Sequence, residues 1–168
     1  MVRASITVLV LVLFIFTSCD EPLEPVSQVT SKLPIVINEF LASHINPTDE
    51  DWIELYNTSD STVMLRDFYL TDSLTYPNRW RMPDTSVSPR GFLLVWADNQ
   101  PLSGLHANFK LEKDGEQIGI FKSEGITFSI VDSLTFSTQK PDTSYGRFPD
   151  GEPQWTFFPL PTPGMANR

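Results

Sequence analysis

The densest group of potential ligands is Asn46, Asp49, Glu50, Asp51 and Glu54, four carboxylates and one amide close together in the chain. Hard cations such as Ca²⁺ take about six to eight oxygens from loops of this kind. Asp49, Glu50, Asp51 and Glu54 are therefore the candidate Ca²⁺ ligands, and no other cofactor is expected. A solvated acidic turn fits the same residues, and the lack of a D-x-D-x-D-G pattern favours it. Trp52 and Tyr56, four positions apart on one face of the strand, are candidates for an aromatic face that stacks on sugars or grips a partner, with core packing as the competing role. Glu39, Glu54, Asp72 and Asp132 are carboxylates of the kind that hydrolyse glycosides when paired at roughly 5–9.5 Å, but their spacing shows neither a pair nor a cleft. His44 and His106 are far apart in sequence, and there is no G-x-S-x-G elbow and no nucleophile beside an ordered base. Arg66, Arg79, Arg81, Arg90 and Arg147 are scattered, with no Gly-rich phosphate loop among them. No catalytic residue is assigned.

Composition narrows the classes further. The chain has 168 residues and a net charge of −9, which argues against nucleic acid as a partner because phosphate neutralisation needs clustered Lys and Arg. One cysteine excludes an internal disulfide and any cysteine-based metal site. With 40% hydrophobic and 20% charged residues the composition is that of a globular chain, long enough for one domain with a sizeable core.

The first residues read as an address. Arg3 is the only charge before Cys19, residues 6–16 are densely apolar, and Thr17 and Ser18 are small. The apolar run falls short of the roughly 20 residues that span a bilayer comfortably. Phe16-Thr17-Ser18-Cys19 resembles the lipobox of bacterial lipoproteins, with Phe16 where Leu is commoner. That resemblance implies cleavage after residue 18 and lipidation of Cys19 with two or three acyl chains, palmitate among them. Each buried methylene is worth ~0.8 kcal/mol, so two chains hold a protein where one does not. An ordinary secretory signal with a free cysteine nearby is the alternative. Asp20 and Glu21 follow, in positions where acidic residues act as sorting signals in lipoproteins. Residues 19–34 carry Pro22, Pro25 and Pro34 and no aromatic residue, and form an extended tether of at most ~50 Å. The expected organisation is a signal peptide at 1–18, lipidated Cys19 and tether at 19–34, and a domain at 35–168.

The elements that must position the candidate residues are strands. Fourteen prolines and eight glycines punctuate the chain, and the apolar runs between them are short and rich in Ile, Val, Phe, Tyr and Trp. The pattern predicts about nine strands, at 35–41, 52–57, 62–65, 68–71, 79–82, 92–97, 109–111, 117–121 and 128–134, and hence an all-β sandwich or barrel. Asp114-Gly115 is the strongest hairpin signal. Alternation puts Ile53 and Leu55 in the core with Trp52, Glu54 and Tyr56 opposite, and points Trp80 and Met82 inward with Arg79 and Arg81 outward. The strand at 92–97 is apolar on both faces and is expected to be central. The stretch 141–164 holds six prolines and is expected to wrap the domain without continuous pairing, pegged by Tyr145, Phe148, Trp155, Phe157 and Phe158.

Taken in order, Ile37-Asn38-Glu39-Phe40, Asp51-Trp52-Ile53-Glu54-Leu55-Tyr56-Asn57, Tyr69-Leu70-Thr71-Asp72 and Gly91-Phe92-Leu93-Leu94-Val95-Trp96-Ala97 resemble the bacterial lamin-tail domain. Later blocks agree: His106-Ala107-Asn108-Phe109-Lys110-Leu111, Gly115-Glu116-Gln117-Ile118-Gly119-Ile120, Val131-Asp132-Ser133, Ser144-Tyr145-Gly146-Arg147-Phe148-Pro149-Asp150-Gly151 and Pro161-Thr162-Pro163-Gly164. The resemblance covers residues 35–167. It implies an immunoglobulin-like β-sandwich with a Pro-rich C-terminal wrap, in a family whose bacterial members are secreted or on the surface and treated as non-catalytic. The chain ends close to the last block, so the domain is expected to stand without a fused enzyme. The expected function is a membrane-anchored extracytoplasmic lipoprotein of the bacterial cell envelope, facing the periplasm or displayed on the surface. It would act as a non-catalytic interaction or adhesion module, with the lipid bilayer as partner through Cys19 and an unnamed protein or surface polymer as ligand. The alternatives are a metal-assisted hydrolase using the acidic loop, or an accessory subunit of a secreted enzyme.

Overall fold

The computed structural model describes residues 33–100 and 104–168. Cys19, the signal peptide and most of the tether lie outside the described residues. Eleven strands carry the fold and no helix occurs among the described residues. Strands β1 (Ile35–Leu41), β2 (Asp51–Asn57), β3 (Val63–Met64), β4 (Phe68–Thr71), β5 (Trp80–Arg81) and β6 (Ser86–Val87) are followed by β7 (Phe92–Ala97), β8 (Gly115–Ser123), β9 (Phe128–Ser137), β10 (Ser144–Arg147) and β11 (Trp155–Phe158). A five-stranded antiparallel sheet runs β11-β10-β1-β2-β7, a four-stranded one runs β5-β4-β8-β9, and β3 pairs with β6. Inward side chains of both larger sheets form one core, with Ile37, Phe40, Ile53, Leu55, Val95, Leu70, Ile118, Ile120 and Phe136 among its members. This is the two-layer, immunoglobulin-like β-sandwich.

Alternation places the side chains of β2 and β5 as the sequence requires. Ile53 and Leu55 are fully buried, Trp80 and Met82 point inward, and Arg79 and Arg81 are exposed. Four expectations are corrected. The strand at 92–97 is an edge strand, paired only with β2 inside the sheet. Residues 105–109 cover its free edge, with Trp96 N–H donating to Leu105 O and Ala107 N–H to Trp96 O. The 109–111 segment is not a strand: Phe109 and Leu111 are buried as part of that cover. Asp114-Gly115 is a turn that leads into β8, and Gly115 already pairs with Ser137, so it closes no hairpin. The β8–β9 hairpin turns instead at residues 124–127, where Gly125 supplies a φ of 86°.

The largest correction concerns the C-terminal stretch. It does pair, as β10 and β11, in the register Ser144↔Phe158 to Arg147↔Trp155, and β10 adds to β1. The six prolines flank these four-residue strands and never interrupt them, so no ladder donor is lost. Tyr145 stacks on Trp155 with ring centroids 5.3 Å apart and lies 6.0 Å from Phe40. Phe158 is buried, whereas Phe148 is half exposed and pegs nothing into the core.

Candidate functional site

A β-bulge in β1 organises the region that holds the acidic residues. Ile37 pairs with Leu55 and Glu39 with Glu54, so Asn38 is the extra residue. Such a bulge lets successive side chains escape strict alternation. Glu39 and Glu54 thus become cross-strand neighbours on the outer face of the five-stranded sheet, opposite Ile53 and Leu55. That face is closed by the chain's C-terminal segment. Glu39 accepts hydrogen bonds from Thr162 N–H (3.1 Å), from Thr162 Oγ1 (2.9 Å) and from Ser144 Oγ. Glu54 accepts from the Gly164 N–H, which is delivered at a φ of 78° that suits glycine. Asn38 donates to Asp150 (2.9 Å) and accepts from Gly151 N–H (3.0 Å), and Asn167 donates to Arg147 O (2.7 Å). Asn38, Glu39 and Glu54 are all wholly inaccessible to solvent.

The two carboxylates are therefore a pair, which spacing alone did not show, but a sealed pair. Burial raises the Glu54 pKa to about 7, opposed by the Gly164 N–H and Asn38 and reinforced by the Glu39 charge. Gly146 sits beside them because a Cβ there would lie 2.8 Å from Asn167 Nδ2 and 3.0 Å from both Asn38 O and Glu39 Cγ. Gly146→Ala is accordingly expected to destabilise the domain by about 1–3 kcal/mol through overpacking, read by urea denaturation.

On the opposite side of the bulge a second lock joins the sheets. The Ile37 N–H and C=O lie beyond the short β1–β10 ladder, which pairs only Glu39 and Phe40 of β1. Asp132 accepts from Ile37 N–H (2.9 Å), Arg147 Nε donates to Ile37 O (2.7 Å), and Arg147 Nη2 meets Asp132 at 3.0 Å. Arg147 Nη1 also donates to Glu152 O, and its guanidinium lies 4.9 Å from the Trp155 ring. Asp132 itself follows a bulge in β9.

The proposed calcium ligands do not converge. Asp49 is bonded by Asn46, Glu50 by Gln100, Asp51 by His44 (3.1 Å) and Leu111 N–H (3.0 Å), and Glu54 is turned under the C-terminus. Alternation sends neighbours in β2 to opposite faces, and each carboxylate has its own partner. Among the described residues no three His, Cys, Asp or Glu side chains are grouped to hold a metal. Burial raises the Asp51 pKa, partly offset by the Leu111 N–H and by His44.

Two histidines acquire carboxylate partners that the sequence did not reveal. His44 pairs with Asp51, and His106 Nδ1 with Asp98, whose other oxygen accepts from Gln100 N–H. No hydroxyl among the described residues bonds to either ring. The pairs fasten loops to strand ends. Asn57, the first residue of an N-x-S pattern, is fully buried, donates to Ser61, Val87 and Ser88 carbonyls, and shapes a turn.

Trp52 and Tyr56 share a sheet face without forming one platform, because Glu54 and its cover lie between them. Tyr56 stacks on Phe92 at 4.9 Å and lines a concavity with Pro34, Thr58 and Arg90. Trp52, only 5% exposed, faces its cross-strand neighbour Trp96. These two line a separate open concavity of about 540 Å³ with Leu41, His44, Thr48, Asp49, Glu50, Asp142 and Pro161. Asp142 carries no mark in the sequence of its place on this rim. It reaches this rim through Ile45 N–H, a contact between positions 97 apart that no local pattern announces.

The fold and this arrangement define an immunoglobulin-like sandwich whose most deeply buried acids are internal fasteners. The model of the lamin tail domain matches residues 28–138, about two thirds of the chain, and the chain belongs to that family. The blocks at 144–151 and 161–164 lie beyond the match, although their strands and loops complete the same sheet. Searches of curated proteins and of solved structures found no match. A lamin-tail sandwich of this kind fits a non-catalytic interaction module.

Proposed function

We propose that this chain is a lipid-anchored, extracytoplasmic interaction module of the bacterial envelope. Cys19 carries the acyl chains, residues 20–34 space the domain from the bilayer, and the sandwich binds a protein or surface polymer through the loop end beside Trp52. The observation that carries the reading is the sole cysteine, placed directly after a basic start, a dense apolar run and Thr17-Ser18. The chemistry of the domain is in keeping with it. Glu39, Glu54, Asp132 and Arg147 are consumed in holding the sandwich together; among the described residues no hydroxyl bonds to a histidine ring, and the Ser144 hydroxyl that donates to Glu39 is sealed from any substrate.

Fatty-acid labelling and detergent phase partition test the anchor. The wild-type chain is expected to incorporate an alkyne-palmitate probe and enter the detergent phase. Cys19→Ala is expected to lose the label and either remain unprocessed or leave the membrane fraction. Equal labelling and partition of the two proteins would overturn the reading.

A further inference from the structure

We infer that the concavity between Trp52 and Trp96 is a receptor site for a lysine- or arginine-bearing segment of an extracytoplasmic protein. The inference deepens the interaction reading above and rests on it. The site is concave and of a size that takes a few side chains, about 540 Å³. Its floor is apolar, with Leu41 and Pro161 beside the two indoles, and its rim carries Asp49, Glu50 and Asp142. Among the described residues none of the ion pairs involves these three acids, whereas Asp60, Asp67, Asp72, Asp84 and Asp132 each hold an arginine. An apolar floor under a rim of unneutralised carboxylates matches a side chain with a methylene stem and a cationic head. The partly exposed indole of Trp96 adds attraction for such a head.

The same geometry disfavours two other occupants. A bare divalent cation needs converging oxygens, and the rim acids are not grouped that way. A sugar needs an open aromatic face, and Trp52 is 95% covered. The rim is also built to stay in place: Asp142 adopts a left-handed φ of 50°, its N–H donates to Ser43 O, and its carboxylate holds Ile45 N–H.

The test uses the full lipidated chain in a non-ionic detergent, with hexalysine amide as probe and calorimetry as readout. Hexaglutamate and a chitosan hexamer are run beside it. The decisive variant is Asp49→Asn, Glu50→Gln, Asp142→Asn, which keeps the oxygen that accepts each local N–H, and asparagine tolerates the left-handed backbone at 142. A control of equal charge change is Asp114→Asn, Glu124→Gln, Glu152→Gln, all exposed and away from the concavity. Hexalysine is expected to bind, at least tenfold more weakly to the rim variant and to Trp96→Ala, and within twofold of wild type to the control; circular dichroism confirms that each variant folds. An equal loss in rim and control variants would reduce the effect to net charge and overturn the site. Binding of chitosan without hexalysine, or of neither, would overturn the peptide occupant. A partner captured by wild type and retained by both site variants would overturn this site while leaving the module reading intact.

Discussion

Arg147→Ala should lower the unfolding free energy by about 3–5 kcal/mol, the scale of breaking a buried ion pair from one side. The residue is 8% exposed and does four things together. It neutralises Asp132, satisfies Ile37 O, satisfies Glu152 O and packs over Trp155. Lysine presents no planar fork and cannot serve these acceptors together, so Arg147→Lys should recover only a minor part of the loss. A double variant separates this lock from an ordinary ion pair. Replacing a buried pair by apolar residues is often neutral. Here Asp132→Leu with Arg147→Met would leave Ile37 N–H and C=O unpaired inside the sandwich, so the double variant should stay at least 2 kcal/mol or so below wild type. Urea denaturation of the full chain in detergent measures both. A loss under about 1 kcal/mol for Arg147→Ala would mean that the bulge needs no clamp.

Removing the Glu54 charge should change how stability depends on pH. Its pKa is near 7 in the folded chain against an ordinary value of 4.5, because burial disfavours the ionised form. Between those values the folded state holds a proton that the unfolded state has released. The slope of stability with pH is therefore negative there: the contribution is complete below pH 4.5 and is lost as pH rises through about 7. A shift of that size corresponds to at most about 3 kcal/mol across the window. Glu54→Gln keeps an acceptor for Gly164 N–H and cannot ionise, so it should flatten this part of the profile and leave the variant the more stable protein at pH 8. Glu116, also raised to about 7 mainly by burial, contributes in the same direction and leaves a smaller residual slope. Wild type and variant with parallel profiles from pH 4.5 to 8 would show that Glu54 ionises freely in the fold.

The sequence made the strands themselves readable where the period was clean. Ile35–Leu41, Phe68–Thr71 and Phe92–Ala97 were bounded correctly because β-branched and aromatic runs there begin after Pro34, Asp67 and Gly91, and the last two also end at Asp72 and Asp98. The faces of Ile53, Leu55, Trp80 and Met82 followed from alternation alone. Ser144–Arg147 and Trp155–Phe158 did not, since proline density suggested interruption although no proline lies inside either strand. Asn38 carries no local mark of a bulge, so the fate of Glu39 and Glu54 was hidden: their partners Thr162 and Gly164 stand 123 and 110 positions away. The acidic loop looked like a ligand set because its residues are adjacent in sequence, while the β2 pleat and separate partners disperse them. Trp52 and Tyr56 shared a face as expected, yet a segment from the far end of the chain divides it.

The C-terminal segment seals Glu39 of β1 and Glu54 of β2 and makes them fasteners of the sandwich. Native-state hydrogen exchange of the Thr162 and Gly164 amides, which donate to Glu39 and Glu54, is the decisive measurement, with the Asn167 amide, bonded to Asp150 beside Asn38, reporting on the same segment. Protection comparable to that of core amides in β1 and β2 is expected, with Glu39→Ala selectively releasing Thr162. Exchange at the rate of exposed loop amides in the wild-type chain would contradict it, leaving Glu39 and Glu54 as accessible groups on an open sheet face.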